Sequence, residues 1–207
     1  MKEVSICKNL SHPHIVKYYH SFIEKSNLYI LMEYASNGDL HKLMRKNWQI
    51  GMRFSEIELW RWGFEIIIAI AYLHKNQILH WDIKSLNIFL DSHKQIKVGD
   101  LGVSKILTSE SIFQATKVWT PLYLSPEQIK QTPYDFKVDI WGYGCCLYHL
   151  AAMEPPFKGD NLIVLGQSIL NDKPGPMSQY SGRFNDFVIN YLLDKNPITW
   201  PTANEVI

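Results

Sequence analysis

Residues 78–90 read ILHWDIKSLNIFL. Within six positions this stretch holds Asp82, Lys84 and Asn87, with Ile78 and Leu79 before them and Ile88, Phe89 and Leu90 after. Apolar flanks around a polar centre describe a short loop held between buried anchors. Ten residues after Leu90 comes Asp100, in KVGDLG. Two carboxylates, an amide and an ammonium are a donor set for Mg²⁺ and a polyphosphate. A polar turn in which Asp and Asn cap a strand accounts for the same residues.

Further stretches extend the pattern. TPLYLSPE spans Thr120 to Glu127, and VDIWGYG spans Val138 to Gly144. HWDIKSLNIFL resembles the protein kinase catalytic loop, H-R-D-x-K-x-x-N, and KVGDLG resembles the D-F-G magnesium motif with Leu101 for Phe. TPLYLSPE is similar to the A-P-E end of the activation segment, and VDIWGYG to the D-x-W-x-x-G helix after it. All four stand in the family's order and at its spacings. The wording NIFL and GDLGVSK is most like the NIMA-related serine/threonine kinases.

The resemblance implies an α+β, protein kinase-like fold, mainly the helical C-lobe. Residues 1–207 would form a single partial kinase domain, with 1–35 a remnant of the N-lobe and the hinge, and 36–207 the C-lobe. No G-x-G-x-x-G loop and no upstream lysine strand occurs within the chain, so it reads as truncated at the N-terminus. Composition is compatible with one such domain. The 207 residues could bury roughly 70% of their unfolded surface. Hydrophobic residues make up 46%, which excludes a disordered chain. A net charge of +1 gives no argument for nucleic acid or an anionic membrane. Cys7, Cys145 and Cys146 lack zinc-like spacing, and a reducing cytoplasm fits them. No signal-peptide pattern opens the sequence, and no apolar run reaches membrane length.

The remaining chain reads as alternating signals and stops. KEVSICKNL, residues 2–10, suggests the last turns of a helix, broken by Pro13. Residues 15–22 and 27–34 alternate as two strands, joined across Glu24 to Ser26. ASNGDL then turns into a helix with Asp39 as N-cap. Ser55 and Glu58 form a capping box ahead of a helix whose Leu59, Trp62, Ile66, Ile70 and Leu73 share one face. Residues 88–91 and 95–98 suit a two-stranded ribbon that presents Asp100. Residues 107–117 read as a mobile surface loop. Phe136 to Met153 is apolar all round and ends at Pro155 and Pro156, so its two cysteines read as core. Helices follow at about 160–171 and 183–194, the second with Phe187, Val188, Tyr191 and Leu192 on one stripe. Thr202 caps a last one.

Carried over residue by residue, the resemblance implies phosphoryl transfer from ATP to serine or threonine hydroxyls of proteins. Asp82 would take the hydroxyl proton and Lys84 would neutralise the moving phosphoryl group. Asn87 and Asp100 would hold Mg²⁺. Thr120 would bridge Asp82 and Lys84, and Asp139 would fix the loop backbone from below. Glu3 matches the ion-pairing glutamate, or is simply a solvated residue near a helix start. Met32 would be the gatekeeper and Phe89 the floor of the adenine pocket, although core packing explains both equally well. Glu33 and Ala35 would offer backbone groups to adenine, and Asp39 lies near the ribose. Cys7, Tyr18, His80 and Leu101 match the regulatory spine, or plain packing. ATP and Mg²⁺ are the implied cofactors, with a protein substrate, a regulatory protein partner and cytoplasmic, cytoskeleton-associated placement.

Three tryptophans break the pattern. Trp81 replaces the arginine of H-R-D, and indole offers one N–H and no charge. Phosphorylation of Thr116 should therefore order its loop poorly. Trp119 replaces a glycine beside Thr120. Trp200, in WPT, replaces an arginine that pairs with the glutamate matching Glu127. Removing one partner of a buried pair costs about 3–5 kcal/mol unless the carboxylate reaches water or takes up a proton. Leu122 and His149 also depart from the family. Without the glycine loop and lysine the chain is expected to bind nucleotide weakly and to be weak or inactive. A pseudokinase, or a protein-binding module that keeps the kinase C-lobe, remains the alternative.

Overall fold

The structure, a computed structural model, describes residues 8–101, 105–106 and 121–207. The readings placed on Glu3, Cys7 and the rest of the helix end before residue 8, on the loop 107–117 with Thr116, and on Trp119 and Thr120 lie outside these.

The chain first forms a hairpin of β1 (Tyr18–Glu24) and β2 (Asn27–Met32), paired antiparallel. Its turn places Lys25 and Ser26 at φ of 47° and 66°. Two successive left-handed residues match the right-handed twist of the strands. The first strand starts at Tyr18 rather than Ile15, because residues 14–16 are drawn elsewhere. Ile15 bridges Val98 in parallel, Val16 N donates to Val98 O (2.9 Å), and Val98 N donates to His14 O (2.8 Å).

Three caps set the helical body in register. Asp39 Oδ1 accepts from Lys42 N at 2.8 Å and starts α1 (Leu40–Gln49). Ser55 and Glu58 exchange bonds at the start of α2 (Glu56–Lys75), Ser55 N donating to Glu58 Oε2 at 3.0 Å and Glu58 N to Ser55 Oγ at 3.3 Å. Leu59, Trp62, Ile66, Ile70 and Leu73 are all buried, as the spacing requires. Thr202 and Glu205 form the third such cap, ahead of α7 (Ala203–Val206).

After α2 come β3 (Ile78–Leu79), a 3₁₀ turn (Ser85–Asn87), β4 (Ile88–Leu90), β5 (Ile96–Val98) and β6 (Lys105–Ile106). β4 pairs with β5 as the predicted ribbon, and β3 with β6, both antiparallel. Glu65, charged amid the apolar face of α2, accepts from Ile96 N at 2.7 Å and so fastens the ribbon to the helix.

α3 (Pro126–Ile129) is short. α4 (Lys137–Ala152) is buried from Val138 to Ala151, Cys145 and Cys146 included, and stops where Met153 turns left-handed at φ 61°. α5 covers Leu162–Asn171. α6 (Gly182–Asn185) then widens into a π-helix, Asp186–Leu192, in which Leu193 N donates to Val188 O. The extra residue per turn rotates the buried stripe. Phe184, Val188, Ile189, Leu192 and Leu193 face the core, while Tyr191 of the expected stripe is exposed. The result is an α+β body, helical in the main, with small two-stranded antiparallel sheets. No helix among the described residues is long and apolar enough to cross a membrane.

Candidate functional site

The loop between β3 and β4 is held from below by one carboxylate. Asp139, on the first turn of α4, is 1% exposed. Its Oδ2 accepts from His80 N (2.9 Å) and from His74 Nε2 (2.8 Å), and its Oδ1 from Trp81 N (2.7 Å). Three donors on one buried carboxylate offset its desolvation. They also hold Trp81 at φ 73°, a left-handed backbone that an aromatic residue does not adopt unaided. One turn further along α4, Gly142 faces the same loop. A Cβ there would stand 3.1 Å from Ile83 O. The helix and the loop touch through backbone, and a Cβ would require the loop to give by a few tenths of an ångström.

Above this support the polar side chains meet. Lys84 Nζ lies 2.6 Å from Asp82 Oδ2. Asn87 Nδ2 donates to the same Oδ2 at 2.8 Å and to Asp82 O at 2.9 Å. Both bonds use the nitrogen of the amide, which turns Asn87 Oδ1 to the other side as an acceptor. Asp100 enters from the ribbon. Gly99 N donates to Asn87 O (2.9 Å), and His80 Nε2 donates to Gly99 O (3.0 Å). Asp100 follows at once, exposed and left-handed at φ 56°. Gly99 is required there too, since a Cβ would meet the Phe89 ring and Val16 Cγ2 at 2.9 Å.

The segment preceding α1 lies across the ribbon. Met32 is 50% exposed. Glu33 N donates to Lys17 O at 2.8 Å, and its carboxylate pairs with Lys97 Nζ at 2.6 Å. Ala35 O accepts from Gly38 N at 3.2 Å. Asp39, buried, spends its carboxylate on Lys42, backbone through Oδ1 and Nζ through Oδ2 at 3.3 Å. Phe89 is half-buried and bridges Asp39. Of the spine positions, His80 and Leu101 are buried and Tyr18 is half-buried, its hydroxyl on Ser21 Oγ at 2.7 Å.

The departures from pattern find new partners. Trp81 packs in a small cluster with Leu79, Val138 and Tyr134, its ring 5.5 Å from that of Tyr134. Trp200 is 2% exposed; its ring lies 5.2 Å from Trp141, and its Nε1 donates to Asp194 O at 2.6 Å. His149, in the last turn of α4, is hydrogen-bonded through Nδ1 to the Tyr123 hydroxyl at 2.7 Å. Burial, with His41 nearby, lowers His149 to about 4, so the ring stays neutral. Ser85 Oγ stands 3.4 Å from His41 Nδ1 and 3.5 Å from Tyr123 Oη. This cluster ties the turn after Lys84 to the segment after residue 120. Sequence reasoning did not foresee it, and the only signal was that His149 departs from the family.

Comparison with known proteins agrees with the geometry. A family model described as "Protein kinase domain" matches residues 1–207. The probable serine/threonine-protein kinase nek2 of Dictyostelium discoideum is 39% identical over 213 residues, covering 100% of this chain and 50% of that protein. Serine/threonine-protein kinase Nek1 of Mus musculus is 37% identical, over 100% of this chain and 17% of its own length. Nek5 of Homo sapiens is 38% identical, over 100% of this chain and 29% of its own. The chain thus spans half or less of these relatives. A loop anchored on a helix aspartate, an Asp–Lys–Asn cluster and a matching model over every residue lead to one statement: the chain belongs to the protein kinase family, as a protein kinase domain similar to the NIMA-related serine/threonine kinases.

Proposed function

We propose that this domain transfers the γ-phosphoryl group of ATP to serine or threonine hydroxyls of protein substrates, with Asp82, Lys84, Asn87 and Asp100 at the reacting centre. The observation that carries the reading is the convergence of Lys84 Nζ and Asn87 Nδ2 on one oxygen of Asp82, at 2.6 and 2.8 Å. A carboxylate held in this way is oriented to accept a hydroxyl proton as the oxygen attacks. The ammonium beside it offers charge to the phosphoryl group in transit, and little covalent work is left to the protein. Asn87 Oδ1 and the Asp100 carboxylate are hard oxygen donors fit to hold Mg²⁺, which when bound neutralises charge on the polyphosphate. In this reading residues 1–35 are hinge and N-lobe remnant, and residues 36–207 the C-lobe. Met32, Glu33, Ala35 and Phe89 border the adenosine, and Asp39 reaches the ribose only by sharing the bonds it gives Lys42.

The test is phosphate incorporation from labelled ATP into a serine-containing acceptor protein. Asp82→Asn should lower kcat by about 10²–10⁴, and Lys84→Met should do comparable damage. Incorporation that survives Asp82→Asn would assign the activity to another enzyme and end the proposal. A second reading, a binding module built on the kinase C-lobe, is favoured by the burial of Trp81 against Tyr134 where the family carries a charge. Equal, background-level transfer by the native chain and Asp82→Asn, both folded, would select it.

A further inference from the structure

Residues 40–54 read LHKLMRKNWQIGMRF, with cations at Lys42, Arg45, Lys46 and Arg53 and no carboxylate, in a chain whose total charge is +1. The rest of the chain is therefore net negative. Along α1, Lys42, Arg45, Lys46 and Gln49 stand three or four residues apart and are all exposed, opposite the buried Leu40 and Met44. The end of the helix and the segment after it carry Trp48, Ile50 and Met52, which are 69%, 60% and 56% exposed. Between the last two, Gly51 is left-handed at φ 67°, and a Cβ there would meet nothing within 4 Å. The turn thus protrudes. The carbonyls of Asn47 and Trp48 are nonetheless satisfied: Ile50 N and Met52 N both donate to Asn47 O, at 3.2 and 2.9 Å, and Gly51 N donates to Trp48 O at 3.1 Å. Lys42 shares its charge with Asp39 at 3.3 Å, and Arg53 Nη1 donates to Ala151 O and Ala152 O, each at 3.3 Å.

We propose that this end of α1 docks on an anionic phospholipid bilayer, with Trp48, Ile50 and Met52 entering the headgroup boundary and Arg45 and Lys46 reaching the lipid phosphates. An indole suits that boundary, because its body is apolar and its N–H stays wet. A turn whose carbonyls keep their donors enters an apolar medium without bare acceptors. A protruding tip fits a surface that yields around it, whereas a bound peptide needs a groove or a strand edge. Cations beside the tip supply the attraction to an anionic leaflet, and it is felt only within a Debye length, about 10 Å at 0.1 M salt. Neither signal holds a protein on a membrane alone, and here the two stand together. The total charge of +1 conceals the patch by averaging it with acidic surface elsewhere. The tip is the far end of α1 from Asp39, about 15 Å along the helix axis. Docking there uses neither Asp82 nor Asp39 and stands whether or not the domain transfers phosphate.

The experiment is cosedimentation of the 207-residue chain with vesicles of phosphatidylcholine and phosphatidylserine at low salt. Binding is expected, and partition onto phosphatidylcholine alone should be at least tenfold weaker. The double variant Arg45→Gln, Lys46→Gln, at exposed positions, should lose at least about tenfold in partition, since each cation near an anionic leaflet contributes roughly fivefold. Ile50→Ser with Met52→Ser should lose a comparable amount at an unchanged melting temperature. Insertion is read with brominated lipid, whose quenching of tryptophan fluorescence should fall in Trp48→Phe although that variant still sediments. Equal partition of the native chain and the Arg45→Gln, Lys46→Gln variant overturns the site, and so does quenching that Trp48→Phe leaves unchanged. Binding to polyglutamate in place of vesicles makes the surface a protein site and overturns the choice of lipid.

Discussion

Trp200 and Glu127 are a pair in the family's pattern and strangers here. The indole has joined the aromatic stack with Trp141 and Phe157, whose rings lie 5.5 Å apart. Lys195 Nζ covers that stack, 3.7 Å from the Phe157 centroid. The carboxylate left behind is shifted instead of paired. Burial, with Asp135 adding to it, raises Glu127 from 4.5 to about 7. The folded state thus holds a proton that the unfolded chain releases near 4.5. Stability from this group is full below that pH, falls as pH rises towards 7, and is level above. The span corresponds to about 3 kcal/mol. Glu127→Gln should therefore stabilise the protein by about 3 kcal/mol at pH 8 and by little near pH 4, in urea melts at the two pH values. Equal effects at both would mean that Glu127 is not a buried acid.

At the scale of elements, α4 acts as the bed of the loop between β3 and β4. Asp139 and Gly142 meet the loop on one face, the first by hydrogen bonds and the second by giving way. Gly142→Ala puts a methyl 3.1 Å from Ile83 O, so the loop must give by a few tenths of an ångström two residues from Trp81, whose N–H is bonded to Asp139. A loss of about 1–3 kcal/mol in stability is expected. A larger loss in phosphoryl transfer than in stability is expected with it, and an unchanged melting temperature would count against the close contact. Legibility divides along the same line. Ser55–Glu58, Thr202 and Asp39 announced their helices because caps are local, and the face of α2 could be read from spacing alone. Gly142, Glu65 and the Ser85–Tyr123–His149 cluster could not be read so. Each acts on a partner tens of residues away, and nothing nearby in sequence marks it. The π-helix was hidden for a different reason. Its extra residue leaves composition unchanged and only rotates which side chains are buried.

Across the whole molecule, stability is unevenly spread. The helical body buries a continuous core from α1 to α7. The hairpin does not share in it: Phe22, Ile23, Leu28, Tyr29, Ile30, Leu31 and Met32 are all exposed. It is tied to the body through His14 and Val16 to Val98 and through Glu33 to Lys97. Two strands alone are marginal in water, and an element with little buried apolar area opens on its own. Native-state hydrogen exchange should therefore divide the amides in two. Those of β1 and β2 should exchange through a local opening several kcal/mol below the global unfolding that releases α2 and α4. Lys97→Met removes the ion pair to Glu33, 2.6 Å long and mostly shielded from solvent, and should speed exchange in the hairpin alone. If strands and helices instead exchange with one free energy, and Lys97→Met changes both together, the hairpin is part of the cooperative core and its exposed apolar face costs it nothing.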